Sequence, residues 1–398
     1  MTADVPGPLA GIKVVEFGNL IAAPFAGMLL ADLGADVVKI EPPTGDLGRG
    51  FGPYVGEESA FFLAVNRGKR SFAADPKNPD LRPWLDRLVT GADVVVNNLR
   101  HGAMERMGYD EATVRAANPG VVYAVVSAFG ADGPYAERAG IDVIFQAESG
   151  MIALTGHPGD PPQKTATTIG DYLAATNAAL TVCAALVERG RTGQGRRVDI
   201  SLRDSLLSVQ SGWWALYFAA NAQPERTGTA SPFLAPNQVF ETSDGYLALA
   251  IVSDRHFGVL AEVMGRPDLA ERYPTNADRM ASHDELIADL GREFREDSAA
   301  AWVARLEGAG LPVGRLLDLD EVVADPQVRH NEMVVEVNHR RAGTVRMMGS
   351  PLRVDGQPAR ALAPPPTLGQ HSRQILADLG ADDKTIERLV SSGAVVVS

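Results

Sequence analysis

The chain has 398 residues with 37 Lys and Arg against 50 Asp and Glu, a formal net charge of −13. Apolar residues make up 45% and charged residues 22%, which excludes wholesale disorder. The acidic balance argues against a protein that wraps nucleic acid or lies on an anionic membrane, and the length favours two domains or one large body with an insertion. The single cysteine, Cys183, excludes an intrachain disulfide and a cysteine-based zinc cluster, and in its apolar surroundings it reads as a small core residue. The seven histidines show no metal-pair spacing, so no metal is expected. An acidic, proline-bearing N-terminus and no unbroken apolar run of about 18 residues predict a cytoplasmic protein.

In chain order, the pattern alternates between strand and helix. A short apolar strand is predicted over 12–17, a helix with proline in its first turn over 24–33, and a second strand over 35–40. After a glycine-rich passage come a helix over 81–89, a strand over 93–96, a helix over 111–117 and a strand over 121–127. Short apolar strands separated by helices imply right-handed crossovers and a mostly parallel sheet, hence an α/β body. An alanine-rich helix is predicted over 171–189, then a strand over 197–201 and a helix through Trp213, Trp214 and Phe218. Residues 223–237, rich in Pro, Thr and Gly, read as a linker into a second, smaller domain over 225–325. That domain holds a strand over 246–252 and helices over 256–264, 283–293 and 298–307; a last helix is predicted over 372–379.

Several segments are chemically suggestive. Glu41 ends the second strand where a ribose-binding acid would stand, yet the first turn, Gly18-Asn19-Leu20-Ile21-Ala22-Ala23-Pro24, lacks the Gly-x-Gly-x-x-Gly spacing a pyrophosphate requires. A dinucleotide site is therefore not expected. Asp171, after Gly170, opens the long helix and reads either as its N-cap or as a nucleophile. In the second reading helix-end N–H groups keep the carboxylate ionised while the glycine leaves room for substrate. Asp142, in Gly140-Ile141-Asp142, could be another helix cap. Asn66-Arg67-Gly68-Lys69-Arg70, Lys77, and Asn97-Asn98-Leu99-Arg100 with Arg106 could be solvated surface or could together suit phosphate groups. Trp213, Trp214, Tyr217 and Phe218 read as core, or as the lining of an acyl pocket.

Residues 8–17 through Ala23-Pro24, residues 31–41, Asn66 to Ser71, Gly130 to Tyr135, Thr192-Gly193-Gln194-Gly195, Gly310 to Gly314 and Leu368-Gly369-Gln370-His371 occur in this order. Together they resemble the family III CoA-transferases, which include formyl-CoA and carnitine CoA-transferases and the α-methylacyl-CoA racemases. The resemblance implies a large Rossmann-like domain built from both chain ends (1–224 and 326–398), a smaller α/β domain over 225–325, and an interlocked homodimer. It implies that Asp171 is the catalytic aspartate, with Asp142 a nearby carboxylate. It places contacts to coenzyme A, a substrate and not a bound cofactor, on Leu20, Ile21, Ala22, Ala74, Lys77, Asn98, Leu99 and Arg106. Pro42 stands where some members carry an arginine for CoA. Similar racemases carry histidine where this chain has Ile141, which cannot move a proton, so CoA transfer between an acyl-CoA and a carboxylic acid is favoured over racemisation. The region 227–233 lacks the glycine run of formyl-CoA transferases, so another acyl pair is expected. A catalytically silent CoA-binding protein is the reading from another class.

Overall fold

The computed structural model describes residues 7–358 and 363–398. They fall into two compact units, one from the N-terminus to 151 with 165–212 and 326–398, the other from 152–164 with 213–325.

The first unit is built on six parallel strands: β1 (Lys13–Phe17), β2 (Asp36–Glu41), β3 (Arg70–Ala74), β4 (Val94–Asn97), β5 (Val122–Ser127) and β6 (Arg197–Ser201). Their order is β3-β2-β1-β4-β5-β6, and a C-terminal strand, Val395–Val396, adds antiparallel to the β3 edge. Neighbouring residues on each strand serve opposite faces. Val15, Val38, Val95 and Tyr123 join one core, whereas Val14, Val37, Val94 and Val122 join the other. Both faces are covered, so the strands read as continuous apolar runs. The chain adds β2 and β3 on one side of β1, then crosses to β4 on the other. Strand order therefore reverses between β1 and β4, the switch point at whose carboxyl ends open α/β sheets bind their ligands.

Three helices frame that end of the sheet. Helix α1 (Ala22–Asp32) begins two residues before the predicted start, at Ala22. Helix α2 spans Asp142–Glu148, and α3 runs for 24 residues, Ile169–Thr192, before Gly193 (φ +70°) ends it in the left-handed region. Ala174, Ala175 and Ala178 of α3 share a core with Ala22 and Ala26 of α1, small side chains that let the two helices approach closely. By length and composition α3 is apolar enough to cross a membrane although charged and polar residues interrupt it; in the fold its alanine face is core.

Other elements escaped the sequence pattern. Strand β3 was hidden because Arg70 and Ser71 open it. The hairpin Val334–His339 with Gly343–Met348 buries only alternate residues, Val337, Val345 and Met347 among them. The predicted last helix ends at Asp378, and a further one, Asp383–Ser391, follows, capped by Asp382 and anchored by Ile386 and Leu389.

The second unit carries a three-stranded antiparallel sheet, Val313–Arg315, Tyr246–Ala250 and Asn237–Glu241 in that order. Helices Asp254–Val263, His283–Phe294 and Ala299–Gly308 lie within two residues of their expected bounds. Ser253 and Ser298 cap the first and last of them, and Phe240, Leu247, Phe257, Leu290, Phe294 and Trp302 form their core. The core reading of the aromatic helix fails. None of the residues of Ser211–Ala220 is buried, Phe218 is 72% exposed, and Trp214, Tyr217 and Phe218 pack mainly on one another.

A Cβ added to Gly27 of α1 would stand 2.2 Å from Glu16 Oε2, whereas one added to Gly258 meets nothing within 4 Å. Gly27→Ala should therefore destabilise by about 1–3 kcal/mol through overpacking. Gly258→Ala, in a helix interior, should be neutral or stabilise by up to about 1 kcal/mol. Thermal unfolding of the two variants checks the contrast, and equal midpoints would contradict it.

Candidate active site

Asp171 is not the helix cap. Thr168 occupies that position without a side-chain bond, and Asp171 falls in the first turn of α3. The free N–H beneath it belongs to Gly170 and is taken by another residue, since Gly170 N donates to Asp142 Oδ1 at 2.7 Å. Asp142 is 5% exposed, and its other oxygen accepts from Gln146 Nε2, one helical turn along α2. Gln146 Oε1 in turn accepts from Thr165 N at 3.0 Å and Thr165 Oγ1 at 3.2 Å, tying down the approach to α3. Gly170 is needed here, because a Cβ would sit 2.8 Å from Asp142 Oδ1 and 3.0 Å from Leu206 Cδ1.

This arrangement reverses the expected electrostatics of Asp171. Burial and the neighbouring Asp142 carboxylate push its pKa up to about 7, instead of helix-end N–H groups holding it ionised. The same burial, with Asp171 beside it, raises the Tyr172 phenol. Tyr172 meets Phe25 of α1 edge to face at 4.8 Å, which brings the start of α3 against the start of α1.

The loop before α1 holds the first group of expected CoA contacts. Leu20 adopts φ +65°, while Ile21 and Ala22 are buried at the helix start. Asn98, in the loop after β4, grips this loop across the switch point: its Oδ1 accepts from Asn19 N at 3.0 Å and its Nδ2 donates to Asn19 O at 2.9 Å. Leu99 packs partly against the core, and Arg106 stands exposed in the helix Ala103–Met107. Lys77 lies in the turn after β3. Ala74, fully buried, is paired with Val395 of the C-terminal strand.

The cations of Asn66-Arg67-Gly68-Lys69-Arg70 do not assemble a phosphate site. Arg67 forks onto Asp32 at 2.9 and 2.5 Å, Lys69 lies 2.8 Å from Glu16, and Arg70 pairs with Asp36 and Asp378. Glu41 is likewise spent inside the fold, on Arg49 at 2.7 Å and on Ser71 Oγ at 2.6 Å, so it is no ribose acceptor. Pattern reading missed Gln146 as well as Glu16, Lys39 and Asp46. A signal existed for two of these, since Glu16 and Lys39 are charges embedded in Val-Val-Glu-Phe and Val-Val-Lys-Ile.

The fold is thus a parallel α/β sheet with a glycine-flanked carboxylate of raised pKa in the first turn of α3. Residues 9–372 match CoA-transferase family III. The chain is 34% identical over 397 residues to the succinyl-CoA:glutarate CoA-transferase of Mus musculus, covering 98% of this chain and 91% of that one. It is 35% identical to the succinyl-CoA–D-citramalate CoA-transferase of Chloroflexus aurantiacus, covering 94% of each. A CAIB/BAIF family protein from Brucella suis superposes with a TM-score of 0.84 at 35% identity, over 94% of this chain and all of that one. The chain belongs to CoA-transferase family III, an enzyme family whose members take CoA thioesters as substrates.

Two outcomes follow from the raised carboxyl. If ionised Asp171 is the attacking form, the acylation rate should fall below about pH 7 and level off above it. Asp142→Asn keeps an oxygen for Gly170 N but removes the like charge, so its inflection should move to lower pH; an unmoved inflection in rapid-quench kinetics would refute the coupling. Ionised Asp171 is also disfavoured by the fold. Its destabilising effect develops as pH rises from the ordinary value of 3.8 towards about 7 and is complete above that. Asp171→Asn should therefore melt higher than the parent at pH 8, with the difference vanishing near pH 4.

Proposed function

We propose that this protein transfers CoA from an acyl-CoA donor to a carboxylic acid acceptor through a covalent intermediate on Asp171. The observation that carries the reading is the Asp171 carboxylate itself, buried beside Asp142 yet unused as a cap. An Asp171 oxygen attacks the thioester carbonyl and displaces CoA thiolate, leaving a mixed anhydride. The thiolate attacks the aspartyl carbonyl carbon and expels the donor acid, giving an aspartyl-CoA thioester. The acceptor carboxylate then attacks this thioester, the thiolate leaves again, and its attack on the acceptor's acyl carbon regenerates the Asp171 carboxylate. Charge and protons balance, and no oxidant is consumed.

The environment suits this sequence. Burial and the adjacent Asp142 penalise a negative charge on Asp171, so conversion to a neutral acyl form relieves the penalty and the resting carboxylate is a better nucleophile than a solvated one. Asp142 and Gln146 act by position, fixing Gly170 and Thr165 and so the first turn of α3. Leu20, Ile21, Ala22, Ala74, Lys77, Asn98, Leu99 and Arg106 are proposed as the CoA-side residues, and the gathering of the loops after β1 and β4 at the sheet's switch point supports the first three with Asn98. The relatives are named for succinyl-CoA with glutarate or D-citramalate, which supports a short dicarboxylic acid as acceptor and the CoA monothioester of a different one as donor. Racemisation gains no support, since Ile141, before Asp142, is 64% exposed and carries no proton.

A cytoplasmic homodimer of interlocked chains completes the proposal. Two exposed apolar surfaces support a second copy: the α3 face bearing Leu180 and Val187, 68% and 65% exposed, and the wholly unburied aromatic helix Ser211–Ala220. Sedimentation of the parent and of Phe218→Asp should show a dimer weakened by the substitution; a parent that sediments as a monomer would dismiss it.

The chemistry is tested by mass spectrometry after mixing the enzyme with succinyl-CoA, or a panel of short acyl-CoAs, and hydroxylamine. A hydroxamate on Asp171 is expected. Asp171→Ala should abolish transfer while retaining CoA binding, and residual full activity in that variant would overturn the mechanism.

A further inference from the structure

Beneath the loop that leaves β1 lie four charges with almost no access to water. Glu16, Lys39 and Lys69 are 0, 0 and 3% exposed, and Asp46 is 3% exposed. They alternate in sign. Lys39 Nζ lies 2.8 Å from Glu16 Oε1 and 2.8 Å from Asp46 Oδ2, and Lys69 Nζ lies 2.8 Å from Glu16 Oε2. Lys39 Nζ donates a hydrogen bond to Glu16 Oε1, whereas Asp46 Oδ2 and Glu16 Oε2 meet their ammonium groups as ion pairs only. The remaining bond of Lys39 goes to Gly18 O at 2.7 Å; those of Lys69 go to Pro24 O and Asn66 Oδ1, both at 2.7 Å.

Two of these three bonds fall on one stretch of backbone. Gly18 O lies at the start of the loop and Pro24 O in the first turn of α1 that follows it, and Asp46 reaches between them: Asp46 Oδ1 accepts from Leu20 N at 3.1 Å and from Gly48 N at 2.7 Å. Leu20 is the loop residue held at φ +65°, a conformation that a non-glycine side chain resists. A glycine fingerprint would supply such a turn through backbone freedom alone. Here a buried ionic frame imposes it on leucine. Burial would raise the Glu16 and Asp46 carboxyls, but Lys39 together with Lys69 at Glu16, and Lys39 together with the Gly48 and Leu20 N–H groups at Asp46, hold both below the usual range. Burial likewise opposes the charge on Lys39, and Glu16 and Asp46 overcome it, raising its pKa.

We infer that Asp46 and Lys39 are positioning residues for CoA, presetting the backbone of Gly18 to Leu20 before the ligand arrives. The inference rests on the proposed CoA role of Leu20, Ile21 and Ala22. A loop ordered in advance loses little freedom on binding, so affinity depends on the frame although neither side chain touches the ligand. Removing Asp46 also leaves Lys39 and Lys69 sharing the single acid Glu16, an excess of buried positive charge beside the loop that Lys39 holds.

Asp46→Asn keeps an acceptor for Leu20 N and cancels the charge; Asp46→Ala removes both. The matched control is Asp32→Asn, which breaks the buried Arg67 pair on the far end of α1 without touching the loop. Titration calorimetry with free CoA, alongside thermal unfolding, provides the readouts. Both Asp46 variants should weaken CoA binding by about tenfold or more, Asp46→Ala the most. Asp32→Asn should lower the melting temperature yet leave CoA affinity within about twofold, the range expected when a broken ion pair is remote from the ligand. Folded Asp46 variants with parental affinity, beside an Arg106→Ala variant that weakens binding, would overturn this inference and leave the CoA reading standing. A parent enzyme that binds no CoA would overturn the CoA reading, and the positioning role with it. If Asp46→Ala does not fold, Asp46→Asn decides alone.

Discussion

The molecule depends on burying charge without leaving it unpaired. A parallel sheet delivers its ligand-facing loops at the carboxyl ends of its strands, and in this chain those ends contain Glu16, Lys39 and Glu41, each with 1% exposure or less. An isolated charge at such depth costs several kcal/mol, and removing one partner of a buried pair is costly for the same reason. Lys39 and Lys69 answer Glu16 and Asp46, and Arg49 answers Glu41, so the strand ends are electrically closed. Gly27 belongs to this arrangement because only a residue without a side chain lets the Glu16 carboxylate pass beneath α1.

Asp171 is the exception, and the contrast with Glu16 gives it meaning. Both are substantially removed from water. Glu16 has two ammonium groups against it and is pulled below its ordinary value; Asp171 has a second carboxylate as its neighbour and is pushed up to about 7. A structural acid is stabilised in its charged form, whereas a nucleophile gains from a charged form that is poorly stabilised. The fold gives the helix-terminal N–H of Gly170 to Asp142, which leaves Asp171 without that support.

The two carboxylates also divide labour along the chain. Asp142 and Gln146 are one turn apart on a short helix, and together they reach Gly170, Thr165 and Thr167, bracketing the segment that enters α3. The edge contact of Tyr172 with Phe25 then sets the start of α3 against the start of α1, where the framed loop ends. Asp171 and the loop after β1 are thus linked through two helix beginnings.

Much of this was determined by the sequence alone. Apolar runs of four to seven residues between helical stretches specify a parallel α/β sheet, because the period of each run and the length of each crossover leave few alternatives. Asp171 after Gly170, and Asp142 after Gly140-Ile141, were legible as local motifs. What the sequence could not decide was which charges would be spent on one another. Arg67, Lys69 and Glu41 look like ligand groups when read along the chain, and become structural once Asp32, Glu16 and Arg49, all distant or on other elements, meet them. The state of Asp171 was misread for the same reason: a position near a helix start predicts an ionised acid, whereas burial and the Asp142 carboxylate decide otherwise. Backbone periodicity is a local property written in consecutive residues, but the environment of a charge is set by whatever folds against it, and only the tertiary structure supplies that.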